Sequence, residues 1–227
     1  MLNQLSIIQI LLDADLIAKF IILVLLIFSI WSWSIIFKKY FEYGIAIKKN
    51  QEFYNIFMSS RSIEHMIDKS KRINENVCLR ILNAGLSEIS RANLKDSEMK
   101  QSARDRMLQT ITIIKNKYSE KLEESLAIIG TIGSNAPFIG LLGMVWSVVN
   151  GFYKMSAAKQ ATITVLVPNL IEAFIVTAIG LAVAIPSMIM YEMLVTKLEQ
   201  INNDLNNNTL EIYNLLSEAI DETNFNR

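Results

Sequence analysis

The sequence predicts an all-α fold: a polytopic membrane protein with three transmembrane helices, two of them extended into a cytoplasmic helical bundle. The chain has 227 residues, of which 52% are hydrophobic and only 19% are charged. That balance is too apolar for an ordinary soluble domain. The apolar residues are also concentrated in three long runs with at most one charge each, and each run is long enough to cross a bilayer as a helix.

The first predicted span is the uncharged run Phe20–Phe37, which ends at Lys38 and Lys39. Trp31 and Trp33 lie near that end, where aromatic side chains are typical of a membrane interface. Neither a basic region before the run nor a small-residue cleavage site after it is present. We therefore interpret it as an uncleaved span and not as a signal peptide.

The second span is predicted at 126–152 and the third at 162–191. At about 1.5 Å per residue the third exceeds the thickness of a bilayer core, so we expect it to tilt or to begin outside the hydrocarbon. Pro168 suits an early turn of that helix, whereas Pro186 lies inside it and should kink it.

The distribution of basic residues predicts the orientation of the spans. Most of the 22 Lys and Arg residues lie in the section 38–125, whereas the connection after the second span contains only Lys154 and Lys159. Basic loops stay on the cytoplasmic side. The predicted order is an external N-terminal segment (1–15), a first span (16–37), a cytoplasmic helical section (38–125), a second span (126–152), a short periplasmic loop (153–161), a third span (162–191) and a cytoplasmic C-terminal helix (192–227).

The cytoplasmic section has helical spacing. Apolar residues recur every three or four positions from Met99 to Leu126, and no Pro or Gly interrupts 92–129, so one amphipathic helix should run directly into the second span. Asn93 or Asp96 should cap its start. Segment 40–92 is interpreted as shorter helices packed on this helix and on a continuation of the third span, although the asparagines of INNDLNNN are poor helix formers.

Charge, cysteine and histidine content argue against several classes of protein. The formal net charge is zero, whereas a nucleic-acid-binding surface would be basic. The single Cys78 permits no intrachain disulfide and is expected to be a small core residue. One histidine, His65, beside one cysteine argues against a structural metal site. The spans contain no histidine, no second acid and no G-x-S-x-G serine, so we predict neither an enzyme nor a cofactor.

Small residues form a stripe on the second span and another on the third. Alternating spacings of four and three put each set on one helix face, where small residues let membrane helices approach closely. The stripes are Gly133, Pro137, Gly140, Met144, Ser147 and Gly151, and Ala173, Thr177, Gly180, Ala184 and Ser187. The stripes are either packing seams or the lining of a passage. Thr177 does not decide between these two interpretations, because a threonine hydroxyl can also bond its own helix backbone.

Glu172 is the one charge in 167–191. An unpaired carboxylate is costly in hydrocarbon. It is either an interfacial group that reaches water or Lys159, or it faces a water-filled passage or an ionisable group on another subunit. Glu172 and Thr177 are about 140° apart around a helix, so a passage touching both needs a wide inner face or an altered helix.

Two adjoining stretches carry a family resemblance. GTIGSNAPFIGLLGMVWSVVNGF and KQATITVLVPNLIEAFIVTAIGLAVAIPSMIMY resemble the TolQ/ExbB group of proton-channel subunits, which is distantly related to flagellar motor stators. The order of three spans and the long first cytoplasmic section agree with that group over the whole chain. KQAT and the short N-terminal section are most similar to the TolQ branch.

The resemblance implies a homopentamer in the bacterial inner membrane. Its second and third spans would line a passage that holds the single-span helices of a TolR-like dimer. Protons crossing the membrane would protonate an acid on that partner, and the movement would drive work at the outer membrane through TolA-like and Pal-like proteins during cell division. The resemblance implies no cofactor, with protons as the transported ion.

The resemblance also assigns roles to residues. It implies an ion pathway lined by the acid Glu172 and the hydroxyl of Thr177, with Met144 and Ser147 on the second span. Pro137, Gly140, Gly143 and Trp146 fit the second-span motif. The residues expected to set helix packing and pore shape are Gly133, Pro137, Gly140, Gly143, Gly180, Ala184 and Pro186.

Two residues depart from the family pattern. Met144 occupies the position where the family has a threonine, and it cannot donate a hydrogen bond; Ser147, one turn further on, is the candidate replacement. Asn169 occupies a position where the family commonly has glycine. The alternatives are an ExbB-like subunit that powers TonB-dependent uptake, or a structural scaffold without an ion pathway; an intramembrane enzyme lacks a residue set.

Overall fold

The described part of the chain is helical. The computed structural model describes residues 14–59, 76–92, 96–157 and 163–222. These contain five helices: α1 (Leu16–Ser59), α2 (Val77–Arg91), α3 (Ser97–Glu123), α4 (Leu126–Ala157) and α5 (Ile163–Glu222). No strand occurs in these ranges. The predicted all-α class is confirmed.

Three stretches are long and apolar enough to cross a membrane: Leu16–Ser59, Ser97–Ala157 and Ile163–Asp221. They contain the predicted spans 16–37 and 126–152 and residues 163–191 of the third, whose first residue lies outside the described residues. α5 continues without interruption well past Tyr191, as expected. Pro168 and Pro186 both lie inside α5, and the bend expected at Pro186 remains a prediction. α4 continues to Ala157, so the first part of the predicted loop 153–161 is helical.

The first helix is longer than predicted. Segment 40–59 is a direct continuation of the first span and not a separate short helix. Its buried residues Tyr43, Ala46, Asn50 and Phe53 follow helical spacing, so one face of the continuation is packed. Gly44 does not break the helix.

The second predicted continuation is interrupted. An unbroken helix over 92–129 was expected, but α3 ends at Glu123 and α4 begins at Leu126. Ser125 has a left-handed φ of 71°, and Ala92 is extended. α3 begins at Ser97 with Asp96, one of the two predicted caps, at the N-cap position, although Asp96 makes no side-chain capping bond. Asn93, the other predicted cap, lies outside the described residues.

The side chains of Lys39 and Tyr43 explain the break. In an unbroken helix the carbonyls of Lys121 and Leu122 would accept from backbone N–H groups four residues on. Instead, the Leu122 oxygen accepts from Tyr43 Oη at 2.8 Å and from Lys39 Nζ at 3.0 Å. Lys39 Nζ also donates to the Lys121 oxygen at 3.3 Å. A buried cation thus caps the carboxyl end of α3. Burial raises the pKa of Tyr43, so its phenol remains a donor.

The chain divides into two compact units. Unit 1 lies within Met1–Lys38 and Ser125–Leu194, and unit 2 lies within Lys39–Glu124 and Val195–Arg227. Unit 1 therefore contains the three apolar spans, and unit 2 contains the rest of α1 and α5 together with α2 and α3.

Unit 1 is packed through small residues. A Cβ atom on Gly140 would lie 3.2 Å from Gly180 Cα, and one on Gly133 would lie 3.1 Å from the backbone N of Met188. The two predicted stripes therefore pack against each other within one chain. Ser32 of α1 joins this core through a 2.9 Å hydrogen bond to Ser187.

Unit 2 has an ordinary apolar core with a polar border. The core contains Phe53, Val77, Cys78, Ile81, Leu82, Met107, Ile111, Leu205, Ile212, Leu216 and Ile220. Asparagines of α5 accept hydrogen bonds from α3: Ser119 Oγ donates to Asn202 and Lys115 Nζ donates to Asn206, both at 2.8 Å. These contacts explain how the asparagine-rich stretch stays helical. Cys78 is buried, as predicted, and burial raises its pKa to about 12.

Substitution of Gly180 tests the close packing of α4 and α5. In Gly180→Ala the new Cβ would lie 2.9 Å from the Ala136 carbonyl oxygen and 3.0 Å from Gly140 Cα, both backbone atoms. We expect a loss of about 1–3 kcal/mol in unfolding free energy, because overpacking displaces backbone. The matched control is Gly44→Ala, where a Cβ meets nothing within 4 Å and helix propensity favours Ala by about 1 kcal/mol. Thermal unfolding of the two variants in one detergent measures these effects. Equal transition temperatures for Gly180→Ala and Gly44→Ala would contradict the close packing of α4 and α5.

Candidate functional site

Glu172 lies inside unit 1 with only 8% of its surface exposed. Its Oε1 atom accepts two hydrogen bonds, one from Ser147 Oγ of α4 at 3.1 Å and one from the backbone N–H of Asp15 at 3.3 Å. One of the two predicted alternatives was an interfacial carboxylate that reaches water or Lys159, and Lys159 lies outside the described residues. Within a single chain the carboxylate is held by two donors of its own unit, so it does not point freely into lipid.

Asp15 brings a second carboxyl group to the site. It directly precedes α1, and its Oδ2 atom accepts a hydrogen bond from Trp146 Nε1 at 2.8 Å. This bond is the main reason why the pKa of Asp15 is lowered from its ordinary value; the backbone N–H groups of Ile17 and Leu16 and the charge of Lys154 contribute further. The spans contain no second acid, and Asp15 was not among the predicted site residues because it lies just before the first span.

Asn169 supports the same site from α5. Its Nδ2 atom donates to the backbone oxygen of Ser147 at 3.3 Å, and the side chain is buried. A Cβ on Gly151 would lie 2.9 Å from Asn169 Cβ. Glycine at 151 therefore leaves the space that Asn169 occupies. We call Asp15, Trp146, Ser147, Asn169 and Glu172 the Glu172 cluster.

Thr177 is separate from the Glu172 cluster. Its hydroxyl donates to the backbone oxygen of Ala173 at 3.1 Å and lies 3.5 Å from that of Gly140. The contact with Ala173 is the bond to its own helix backbone that the sequence left undecided for Thr177. Thr177 and Met144 are both half-buried, and no hydrogen bond in the described residues connects either to Glu172.

The residues predicted to set helix packing all lie in unit 1. Gly133, Gly140, Gly143, Gly180 and Ala184 are buried, and Pro137 and Pro186 are half-buried. A Cβ on Gly143 would meet the side chains of Val176 and Ile21. Whether any of them also shapes a passage stays a prediction.

A different face of α4 carries polar side chains that were not among the predicted site residues. Thr131, Ser134 and Asn135 are exposed, although they lie in an uncharged span. They bond mainly within their own helix: Thr131 Oγ1 donates to the Ala127 oxygen at 2.8 Å, and Asn135 Nδ2 donates to the Thr131 oxygen at 2.8 Å. Their i, i+3, i+4 spacing, the same helical signal used elsewhere in the sequence, identifies them as one face.

The chemistry available to the Glu172 cluster is proton binding. A carboxylate accepts a proton, and a serine hydroxyl both donates and accepts, so Ser147 can remain hydrogen-bonded to either form of Glu172. The described residues contain no group of three or more His, Cys, Asp or Glu side chains able to hold a metal ion.

Three apolar spans, one of which contains the buried acid Glu172, define a polytopic membrane protein. A family model described as the MotA/TolQ/ExbB proton channel family matches residues 74–207, which include Trp146, Ser147 and Glu172. The chain belongs to the MotA/TolQ/ExbB proton channel family.

Curated relatives extend the similarity beyond the matched region. The chain is 29% identical over 209 residues to the Tol-Pal system protein TolQ of Haemophilus influenzae, covering 91% of this chain and 92% of that protein. It is 30% identical over 181 residues to the TolQ of Pseudomonas aeruginosa, covering 79% and 78%. It is 24% identical over 220 residues to the biopolymer transport protein ExbB of Salmonella typhimurium, covering 92% and 85%.

Removal of the Ser147 hydroxyl tests whether Glu172 is a charged acceptor. Ser147→Ala leaves the buried carboxylate with one donor fewer, and a hydrogen bond to a charged group contributes about 1.5–3 kcal/mol. The control is Ser32→Ala, which removes the neutral bond to Ser187, for which about 0.6 kcal/mol is typical in membrane helices. We expect the larger fall in unfolding temperature for Ser147→Ala. Equal falls would show that the Ser147–Glu172 bond is no stronger than a neutral one.

Proposed function

We propose that the chain is a TolQ-like subunit of a proton-driven motor complex of the Tol-Pal system. With a TolR-like partner it would use the proton gradient across the inner membrane to drive outer-membrane constriction during cell division, acting through a TolA-like protein. The two TolQ relatives support this assignment, because their similarity extends over most of the chain.

The observation that carries the proposal is the burial of Glu172. The stretch 167–191 has no other charge, and the carboxylate is 8% exposed and hydrogen-bonded to a serine hydroxyl. Ionisable groups inside a span are costly and are retained for function. In the proposed mechanism Glu172 shapes the potential and the hydration at the outer end of the passage, and Thr177 holds water near the acid of the partner.

An oligomer is part of the proposal. The stripes of α4 and α5 pack against each other inside one chain, so a single subunit does not enclose a passage with them. The exposed polar face of Thr131, Ser134 and Asn135 supports contact with something other than lipid. We propose a homopentamer that encloses a passage holding a TolR-like single-span dimer. The N-terminus would be periplasmic and the C-terminus cytoplasmic, as the basic residues of 38–125 favour.

An ExbB-like role is the second candidate. The ExbB relatives match the chain over similar lengths at lower identity, and the proton chemistry would be the same while the work differs. Co-purification from the native host followed by native mass determination separates the two, because it identifies the partner and counts the subunits together. Recovery of the chain alone would favour a structural scaffold.

Glu172→Gln tests the proton role directly. Glutamine keeps an oxygen acceptor for Ser147 and Asp15 but cannot release a proton, so assembly should persist while function is lost. We expect detergent resistance and separation of daughter cells to fail as in a deletion strain, with normal recovery of the complex. The control is Glu199→Gln, an exposed residue further along α5. Wild-type behaviour of Glu172→Gln would remove Glu172 from the mechanism and favour the scaffold.

Met144→Thr restores the hydroxyl that the family usually has at this position. Met144 is half-buried, and a smaller side chain leaves space without forcing the helices apart. We expect the variant to assemble and to function. Loss of the co-purified complex would show that Met144 fills a packing position that threonine cannot.

A further inference from the structure

Asp15, the residue directly before α1, is in contact with the buried acid. Asp15 lies outside the region 74–207 that the family model matches. Its backbone N–H nevertheless donates to Glu172 Oε1 at 3.3 Å, across 157 positions of sequence. Neither the sequence patterns nor the family resemblance assigned Asp15 a role.

The local geometry suits Asp15 to this contact. Its carbonyl oxygen accepts from the N–H of Lys19 at 3.0 Å, so Asp15 is the N-cap residue of α1. The first N–H groups of a helix have no partner inside it, and the positive end of the helix dipole attracts a carboxylate. Glu172 therefore meets α1 at the end where a negative charge is most favourable.

Trp146 fixes Asp15 in place. The Trp146 indole N–H donates to Asp15 Oδ2 at 2.8 Å, and the next residue, Ser147, donates to Glu172 at 3.1 Å. Two consecutive residues of α4 thus hold the two acids. The result is a closed ring in which Trp146 holds Asp15, Asp15 and Ser147 hold Glu172, and the α4 backbone joins Trp146 to Ser147.

We propose that Asp15 and Trp146 are positioning residues for Glu172. Trp146 orients the first turn of α1 so that the Asp15 amide remains on the Glu172 carboxylate, and loss of either side-chain contact leaves Glu172 with a less favourable set of donors. The inference rests on the proposed function, because it concerns how the same acid is held.

The competing role for Asp15 is electrostatic. As a half-buried carboxylate at a helix start it can attract cations by its charge, independently of Trp146. The two roles predict opposite results for Asp15→Asn. The asparagine side chain keeps an oxygen that accepts from the Trp146 N–H but carries no charge. The backbone N–H that donates to Glu172 is unchanged. Asp15→Leu removes the oxygen and the charge together.

The test uses four variants of the full chain in its native complex: Trp146→Phe, Asp15→Leu, Asp15→Asn and, as a control, Trp31→Phe. Trp31 is 49% exposed on α1 and its substitution leaves the ring intact. Proton-dependent activity is measured as detergent resistance in a deletion strain and as proton uptake by proteoliposomes. The infrared carboxylate band of Glu172, identified by its absence in Glu172→Gln, gives a readout that reports on the acid itself.

We expect Trp146→Phe and Asp15→Leu to lower proton-dependent activity about two- to tenfold, the effect of one net hydrogen bond, and to shift the Glu172 band. Asp15→Asn should restore both the activity and the band position, and Trp31→Phe should leave them unchanged. If Trp146→Phe behaves like Trp31→Phe, or if Asp15→Asn is as impaired as Asp15→Leu, the positioning role is wrong. These outcomes are separable from failure of the proposed function, because that failure would appear as wild-type activity in Glu172→Gln itself.

Discussion

The accommodation of a carboxylate inside an apolar helix is the constraint on which the rest of unit 1 depends. A buried acid needs donors, and a helix has satisfied its own N–H groups, so the donors must come from other elements. Ser147 supplies a hydroxyl from α4 and Asp15 supplies a helix-terminal amide from α1. Both donors must come within hydrogen-bonding distance of α5, and this requirement sets how closely the three helices approach at that level.

Glycine makes this approach feasible along α4. Gly140 and Gly180 face each other at backbone contact, Gly143 accommodates Val176, and Gly151 leaves room for Asn169. With larger residues the helices would separate, and the polar atoms of the Glu172 cluster would lose their partners. The packing of the helices and the hydrogen bonds of the Glu172 cluster are therefore coupled in unit 1, because both depend on the close approach of α4 and α5.

The sequence predicted the parts of the fold that depend on periodicity. Gly133, Gly140, Gly180 and Ala184 follow a helical repeat, and each is buried where that repeat places it. The break at Ser125 could not be predicted, because no Pro or Gly marks it. The backbone oxygens of Lys121 and Leu122 instead accept hydrogen bonds from the side chains of Lys39 and Tyr43, some 80 residues earlier in the chain. The helicity of INNDLNNN was underestimated for a similar reason: Ser119 and Lys115 of α3 occupy oxygens that would otherwise compete with the helix backbone. Asp15 was missed because its contact with Glu172 joins residues 157 positions apart.

The neighbouring positions 151 and 169 share one small volume at the boundary of α4 and α5. Asparagine at 169 fills it here, and a Cβ at 151 would overlap with that side chain. With glycine at 169 the contact to Asn169 disappears, and a methyl group at 151 would then meet only the end of the Leu166 side chain, at 3.0 Å. Evolutionary exchange between these solutions must then follow an order: the side chain at 169 has to shrink before the one at 151 can grow, because the reverse order passes through an overfilled helix contact.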